Sequence, residues 1–95
     1  MIYQIIVEPE ALQDLLNIKT YITEQDTINK ANQFISELKN NIKTLNEMPQ
    51  RCRKSLYTDD ENTHDFIYKK YTTVFKIIEN RVHILTIFRQ NSYSL

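Results

Sequence analysis

Glycine is missing from this sequence altogether, and its absence excludes a region of protein chemistry. Gly-rich phosphate loops, Walker motifs and dinucleotide fingerprints all need backbone without a Cβ beside the phosphate. Nucleotide-cofactor enzymology is therefore excluded, and no cofactor is expected. The same absence sends turns that need a positive φ to Asn, Asp or Lys. Cysteine occurs once, as Cys52. A single thiol cannot close an internal disulfide, which fits a reducing cytosol. Arg51 and Arg53 flank Cys52 and favour its thiolate, but no positioned base is identifiable beside it, so catalysis there is not expected. Two distant histidines and one cysteine show no ligand spacing, so no metal is expected either. Long apolar runs are also missing. None approaches the ~20 residues of a membrane span, and Met1-Ile2-Tyr3-Gln4 lacks the charged start and apolar core of a secretion signal. The expectation is a cytoplasmic protein with no membrane contact.

What is present suits one small domain, residues 1–95. At 95 residues, folding buries roughly 60–65% of the surface that the unfolded chain exposes. That suffices for one sheet with helices on one face, but not for a deep catalytic cavity. Any chemistry belongs on an open face, directed at a large partner. The net charge is zero, yet it is unevenly distributed: residues 1–47 hold four basic and seven acidic side chains, residues 48–95 eight and five. Such polarity either steers one face toward an anion or reflects chance clustering on a solvated surface.

Ile2-Tyr3-Gln4-Ile5-Ile6-Val7 is β-branched and aromatic, and reads as a buried strand. Pro9 fits the first turn of a helix, where Glu8 and Glu10 meet the positive dipole end. Ala11, Leu15, Ile18 and Ile22, with Leu12 and Leu16 beside them, keep helical spacing to about Thr23. Asp26 or Thr27 caps a second helix, in which Ala31, Phe34, Ile35, Leu38, Ile42 and Leu45 repeat at three and four until Met48-Pro49 stops it. These side chains, Phe34 included, are expected to face a sheet. Residues 50–63 are polar and irregular. Three strands follow, about His64–Tyr68, Tyr71–Ile78 and Val82–Phe88, joined by hairpin-length turns in which Asn80 is best suited to a positive φ. The fold class is α+β: β-α-α-β-β-β, a helical hairpin on a mostly antiparallel sheet.

This order of elements resembles the RelE/ParE superfamily of type II toxin–antitoxin toxins over essentially the whole chain. In the hairpin the likeness rests on Ala11-x-x-Asp14-Leu15-x-x-Ile18-x-x-Tyr21-Ile22 and on Ala31-x-x-Phe34-x-x-x-Leu38-x-x-x-Ile42-x-x-Leu45-x-x-x-Pro49. In the sheet it rests on Tyr68-x-x-Tyr71-Thr72-Thr73-Val74-Phe75-Lys76-Ile77 and Val82-x-Ile84-Leu85-x-Ile87-Phe88-Arg89-Gln90-Asn91. The long hairpin with its proline stop is more similar to the ParE branch, whose members poison DNA gyrase; RelE-like members cleave mRNA on the ribosome. Most matching positions are apolar and speak for fold before activity. The resemblance implies a cognate antitoxin as partner, and gyrase or the ribosome with its mRNA as target. Antitoxins of this kind fold over their toxins and wrap a large surface.

The resemblance also nominates residues. As a nuclease, the chain would use Arg53, Lys54, Arg89 and Tyr93: cations stabilise charge developing on phosphate, and a base moves the proton. Arg51, Lys69, Lys70 and Arg89 would contact nucleic acid or another target. Against cleavage stands Thr72 (or Thr73, one register away), where both branches commonly carry an arginine. Threonine supplies neither charge nor a bidentate fork, and Lys69, Lys70 or Lys76 would have to substitute from other points. The plainer reading of each candidate is a solvated cation, and of Thr72 and Thr73 good strand residues. His64 and His83 titrate in a useful range, but a satisfied structural histidine is the simpler reading of both.

Overall fold

A five-stranded sheet carries a helical hairpin on one face and a loop on the other. The computed structural model describes residues 2–89. Strand β1 is Gln4–Val7, followed by helices α1, Pro9–Gln25, and α2, Ile28–Lys43. Strands β2 (Arg53–Lys54), β3 (Thr63–Tyr68), β4 (Tyr71–Ile78) and β5 (Arg81–Arg89) complete the domain. The sheet order is β1-β5-β4-β3-β2. β1 runs parallel to β5, and the other pairings are antiparallel. The expected α+β order therefore holds, with a two-residue strand added inside the stretch read as irregular.

Local chemistry explains most boundaries. Glu8 is extended, as the residue before a proline must be, and Pro9 opens α1. The Thr27 hydroxyl accepts the Lys30 N–H at 3.1 Å and so caps α2. The second helix ends at Lys43, earlier than Met48-Pro49, and two 3-10 turns carry the chain to β2, with Leu45 buried in the first. Met48 is in the left-handed region, φ 49°. The Arg51 guanidinium donates to the carbonyls of Glu47 and Met48 there, at 2.9 and 3.3 Å. Positive φ otherwise falls on Lys69 and Glu79. Asn80 was the expected bearer of the second turn, and a glycine-free chain evidently bends wherever the strands dictate.

The core lies between the hairpin and the sheet. Ala11, Leu15, Ile18, Ile35, Leu38, Ile42 and Leu45 meet Tyr71, Phe75, Val82, Ile84 and Ile87. Ala31 is also fully buried. Phe34 is half-buried, packed against the rings of Tyr68 and Tyr71. Leu12 and Leu16, expected beside this spine, are exposed at 51% and 60%. β1 is an edge strand with its residues half-buried or exposed, and not the buried strand its composition suggested. Strands alternate their side chains between faces: Tyr71, Thr73 and Phe75 share the helix face, Thr72, Val74 and Lys76 the far one. A bulge interrupts the β4–β5 register, where Val74 faces Thr86 and Phe75 faces Ile84. It leaves Leu85 as the extra residue and keeps both Ile84 and Ile87 toward the helices. No helix among the described residues is long and apolar enough to cross a membrane.

Candidate functional site

The residues nominated from sequence divide into two groups, one at the β2 edge of the sheet and one where the β3–β4 turn meets the end of β5. Arg53 and Asp65 are strand partners of the far face, joined at 3.3 Å. The Asp65 side chain is wholly buried and also accepts the Leu56 N–H at 3.1 Å. Lys54 pairs with Glu61 at 2.8 Å, and that bond raises its pKa. Arg51 is committed to main-chain carbonyls and to the Thr44 hydroxyl at 3.0 Å. The basic cluster after α2 thus consists of cations already answered by the chain's own acceptors.

The far face is also closed. From Ser55 to Asn62 the chain folds back across it, and Lys76 holds Asp60 at 2.8 Å. Tyr57 packs edge-on against Phe88, ring centroids 5.1 Å apart. Phe88 is the strand partner of Thr72. Thr72 and Thr73 are fully buried, and neither hydroxyl has a partner among the described residues. The position where an arginine would face substrate is therefore interior.

Cys52 and the histidines are structural as well. Burial raises the Cys52 thiol pKa and outweighs Arg51, so the thiolate expected from the flanking arginines is disfavoured. His64 bonds through Nδ1 to the Cys52 carbonyl at 3.0 Å and stacks on Phe75. His83 meets Glu8 at 2.8 Å. Among the described residues no cluster of His, Cys, Asp or Glu could hold a metal ion.

The second group gathers at the other end of the sheet. Tyr71 and Arg89 are strand partners, and the β3–β4 turn places Lys69 and Lys70 just before Tyr71. Lys69 pairs with Glu37 of α2 at 3.4 Å. Its ammonium also lies over the rings of Phe34 and Tyr68, at 5.7 and 5.5 Å. The Lys69 hydrogen bond in turn lowers the Glu37 pKa. Lys70 is exposed, with no ion pair among the described residues. Arg89 donates to the Tyr21 hydroxyl at 2.8 Å, its guanidinium carbon 5.6 Å from that ring's centre. Together they border a cleft of 330 Å³, whose walls include Asp14, Ile18 and Tyr21 of α1 with Tyr71, Ile87 and Arg89 of the sheet. Burial raises the Tyr71 phenol pKa, so it remains a hydrogen-bond donor.

This rim is cationic, aromatic and open, suited to hold a surface. Tyr93, nominated alongside Arg89, lies outside the described residues. Asp14 and Tyr21 were legible only as markers of the hairpin. Their seven-residue spacing, two turns of one helix face, was the signal that both belong beside the end of β5.

Comparisons with known proteins agree with this architecture. A family model described as ParE toxin of type II toxin-antitoxin system, parDE, matches residues 5–92. Among solved structures, the chain is similar to one from the chromosomal ParDE toxin–antitoxin system of P. aeruginosa, with TM-score 0.82 at 14% identity, covering 95% of this chain and 98% of that one. It is also similar to one in the toxin–antitoxin complex RelBE2 of Mycobacterium tuberculosis, with TM-score 0.62 at 18% identity, covering 95% and 100%. At such identities these likenesses speak for the fold. No curated protein matches the chain by sequence.

Proposed function

The chain belongs to the ParE toxin family of type II toxin–antitoxin systems, and from that premise we propose that it inhibits DNA gyrase by binding it and is neutralised by a cognate antitoxin. One observation carries this reading against mRNA cleavage. The cations a nuclease would use are split between two ends of the sheet, and those at the β2 edge are bonded to the chain's own carboxylates or carbonyls. A phosphate entering there would have to displace Asp65 or Glu61, and it would find buried Thr72 in place of an arginine. Fixed, uncommitted donors are what stabilise developing charge, and among the described residues the β2 edge offers none. The rim of Lys70, Tyr71, Tyr21 and Arg89 fits a binding role better. It joins a guanidinium to aromatic surface, a combination enriched where proteins hold partners.

The test is direct. Purified protein should inhibit gyrase supercoiling or trap cleaved DNA while leaving ribosome-bound mRNA intact. Codon-specific cuts in mRNA with supercoiling unaffected would replace this reading with a ribosome-dependent endonuclease. Inertness in both assays, with antitoxin binding retained, would mark a degenerate toxin.

A further inference from the structure

Hydrogen bonds within the chain fix the polarity of the cleft between α1 and the end of β5. The Tyr21 oxygen accepts from the Arg89 guanidinium at 2.8 Å, so its own O–H remains to donate. The Asn17 Oδ1 accepts from the Gln13 amide at 3.1 Å, which leaves the nitrogen of Asn17 as its donating end. Burial raises the Tyr71 phenol pKa and so keeps its proton in place. Arg89 has only N–H donors to offer, arranged in a planar fork. All four side chains line the cleft. Asp14 is the one carboxylate in that lining among the described residues. Its Oδ2 already accepts the Thr86 hydroxyl and the Ile87 N–H, at 2.8 and 2.9 Å. Donors therefore outnumber acceptors at the cleft, and its one acidic group is engaged from within.

Such a lining answers an anion, and the floor indicates which kind. Ile18 and Ile87, both buried, supply apolar surface, and the Arg89 cation lies over the Tyr21 ring. An acidic side chain matches both parts. Its methylene stem meets the isoleucines, and its two oxygens match the guanidinium fork. A phosphodiester carries the charge without the apolar stem, and a chain of zero net charge is poorly suited to hold a nucleic-acid backbone. Asp14 in the wall sets a further limit, because a second charge on the ligand would add repulsion without adding a contact.

We propose that this cleft seats a glutamate or aspartate side chain of gyrase, presented beside an apolar residue; this deepens the gyrase reading above and rests on it. Arg89 meets the carboxylate, and Tyr21, Asn17 and Tyr71 complete its hydrogen bonds. The cleft then discriminates an acid from its amide. An amide would bring its own N–H groups among donors and would forgo the charge-assisted bond.

Three small probes test the proposal: acetyl-Glu-Leu-amide, acetyl-Gln-Leu-amide, and dimethyl phosphate as the phosphodiester. Each is titrated into the full isotope-labelled chain and followed by NMR at the Asn17 side-chain amide and the Ile87 N–H. The Glu probe should bind at least about fivefold more tightly than the Gln probe, with the advantage shrinking as salt rises. Asn17→Asp, an exposed substitution on α1, and Tyr71→Phe should each reduce that advantage, while the rest of the spectrum reports an intact fold. Equal affinity for the Glu and Gln probes overturns the proposal. A preference for dimethyl phosphate does so too, and would assign the cleft to nucleic acid. Gyrase does not enter the titration. In the supercoiling assay, Asn17→Asp should raise the inhibitory concentration at least about fivefold, and unchanged inhibition overturns the assignment of the acid to gyrase. A wild-type chain that prefers the Glu probe yet never inhibits gyrase would remove the gyrase reading and leave the carboxylate cleft standing.

Discussion

Asp14 stands beside Ile87 where a neighbouring strand would otherwise be. Its Oδ2 accepts the Ile87 N–H at 2.9 Å and the Thr86 hydroxyl at 2.8 Å. β1 pairs with β5 only as far as Val7 opposite Ile84, so beyond that point the edge of β5 turns to α1. One helical carboxylate thereby continues a strand ladder and sets the height of α1 on the sheet. Asp14→Ala removes the acceptor from a partly buried main-chain donor, a loss of about 1–3 kcal/mol. In a domain of this size the melting temperature should fall by several degrees. Asp14→Asn keeps an acceptor and should lose less. A melting temperature unmoved by Asp14→Ala would mean that water serves Ile87 equally well.

Phe34 offers a second stability test. Its ring centre lies 5.2 Å from Tyr71 and 6.1 Å from Tyr68, and it is only partly buried. Truncation to alanine loses two aromatic contacts and part of an apolar side chain, about 2–3 kcal/mol. Leu38, fully buried in the same helix, should lose more on truncation. Urea midpoints compare the two directly, and a Phe34 effect exceeding that of Leu38 would contradict the packing described.

The loop over the far face is tied by a charge that responds to acid. The Lys76 ammonium, followed by the Asn62 N–H, holds the Asp60 pKa down at about 2, from an ordinary 3.8. A folded-state value below the unfolded one contributes stability that is complete above the unfolded pKa and lost as pH falls through the folded one. Stability should therefore decline between pH of about 4 and about 2, and Asp60→Asn should flatten that decline. Urea midpoints measured across this range decide it, and an acid limb unchanged in Asp60→Asn would assign the titration elsewhere.

How far the sequence led follows from what kind of signal each element carries. The hairpin was legible because apolar residues at three and four can mean little except a helix face, and Thr27 and Pro9 mark their boundaries. The β4 and β5 strands were legible by their β-branched content. What the sequence does not contain is which strand neighbours which. That is why β1 read as buried from its composition and is an edge strand. The Leu85 bulge likewise depends on pairing and has no local signature. The basic cluster was readable as a cluster, but its partners Asp65 and Glu61 come from across a turn. Charge neutralisation over such distances is set by the fold. Arg53 and Arg89 looked like members of one site because linear order says nothing about the faces of a sheet.

That separation gives a prediction for growth arrest. If the cations at the β2 edge served catalysis, Arg53→Ala or Lys54→Ala would abolish toxicity. Because Lys54 sits in an exposed pair, Lys54→Ala should leave both toxicity and stability nearly unchanged. Arg53→Ala exposes the buried Asp65 carboxylate to a lost partner and should destabilise the fold without a specific effect on toxicity. Arg53→Lys, which keeps a charge for Asp65, should restore the melting temperature. Loss of toxicity in a fully folded Lys54→Ala would reopen the nuclease reading.

Arg89 tests the other end. Its guanidinium is exposed and bonded to the Tyr21 hydroxyl at the mouth of the cleft. Removing it breaks one charge-assisted hydrogen bond at the exposed surface, so Arg89→Ala should stay folded, with stability shifted by less than about 0.5 kcal/mol. Toxicity should nevertheless weaken, since the rim would lose its only guanidinium among the described residues. Tyr21→Phe separates two roles for the pair. If the phenol merely holds the guanidinium in place, Tyr21→Phe should weaken gyrase inhibition less than Arg89→Ala does, because the ring still lies under the cation. Arg89→Lys should rescue in part only, as a point charge replaces a planar fork of donors. Dose–response curves for supercoiling inhibition, run beside antitoxin titrations, distinguish a target contact from an antitoxin contact. Full inhibition and unchanged antitoxin affinity in Arg89→Ala would reduce the residue to ordinary surface, and the rim would then have to act through Lys70 and Tyr71 alone.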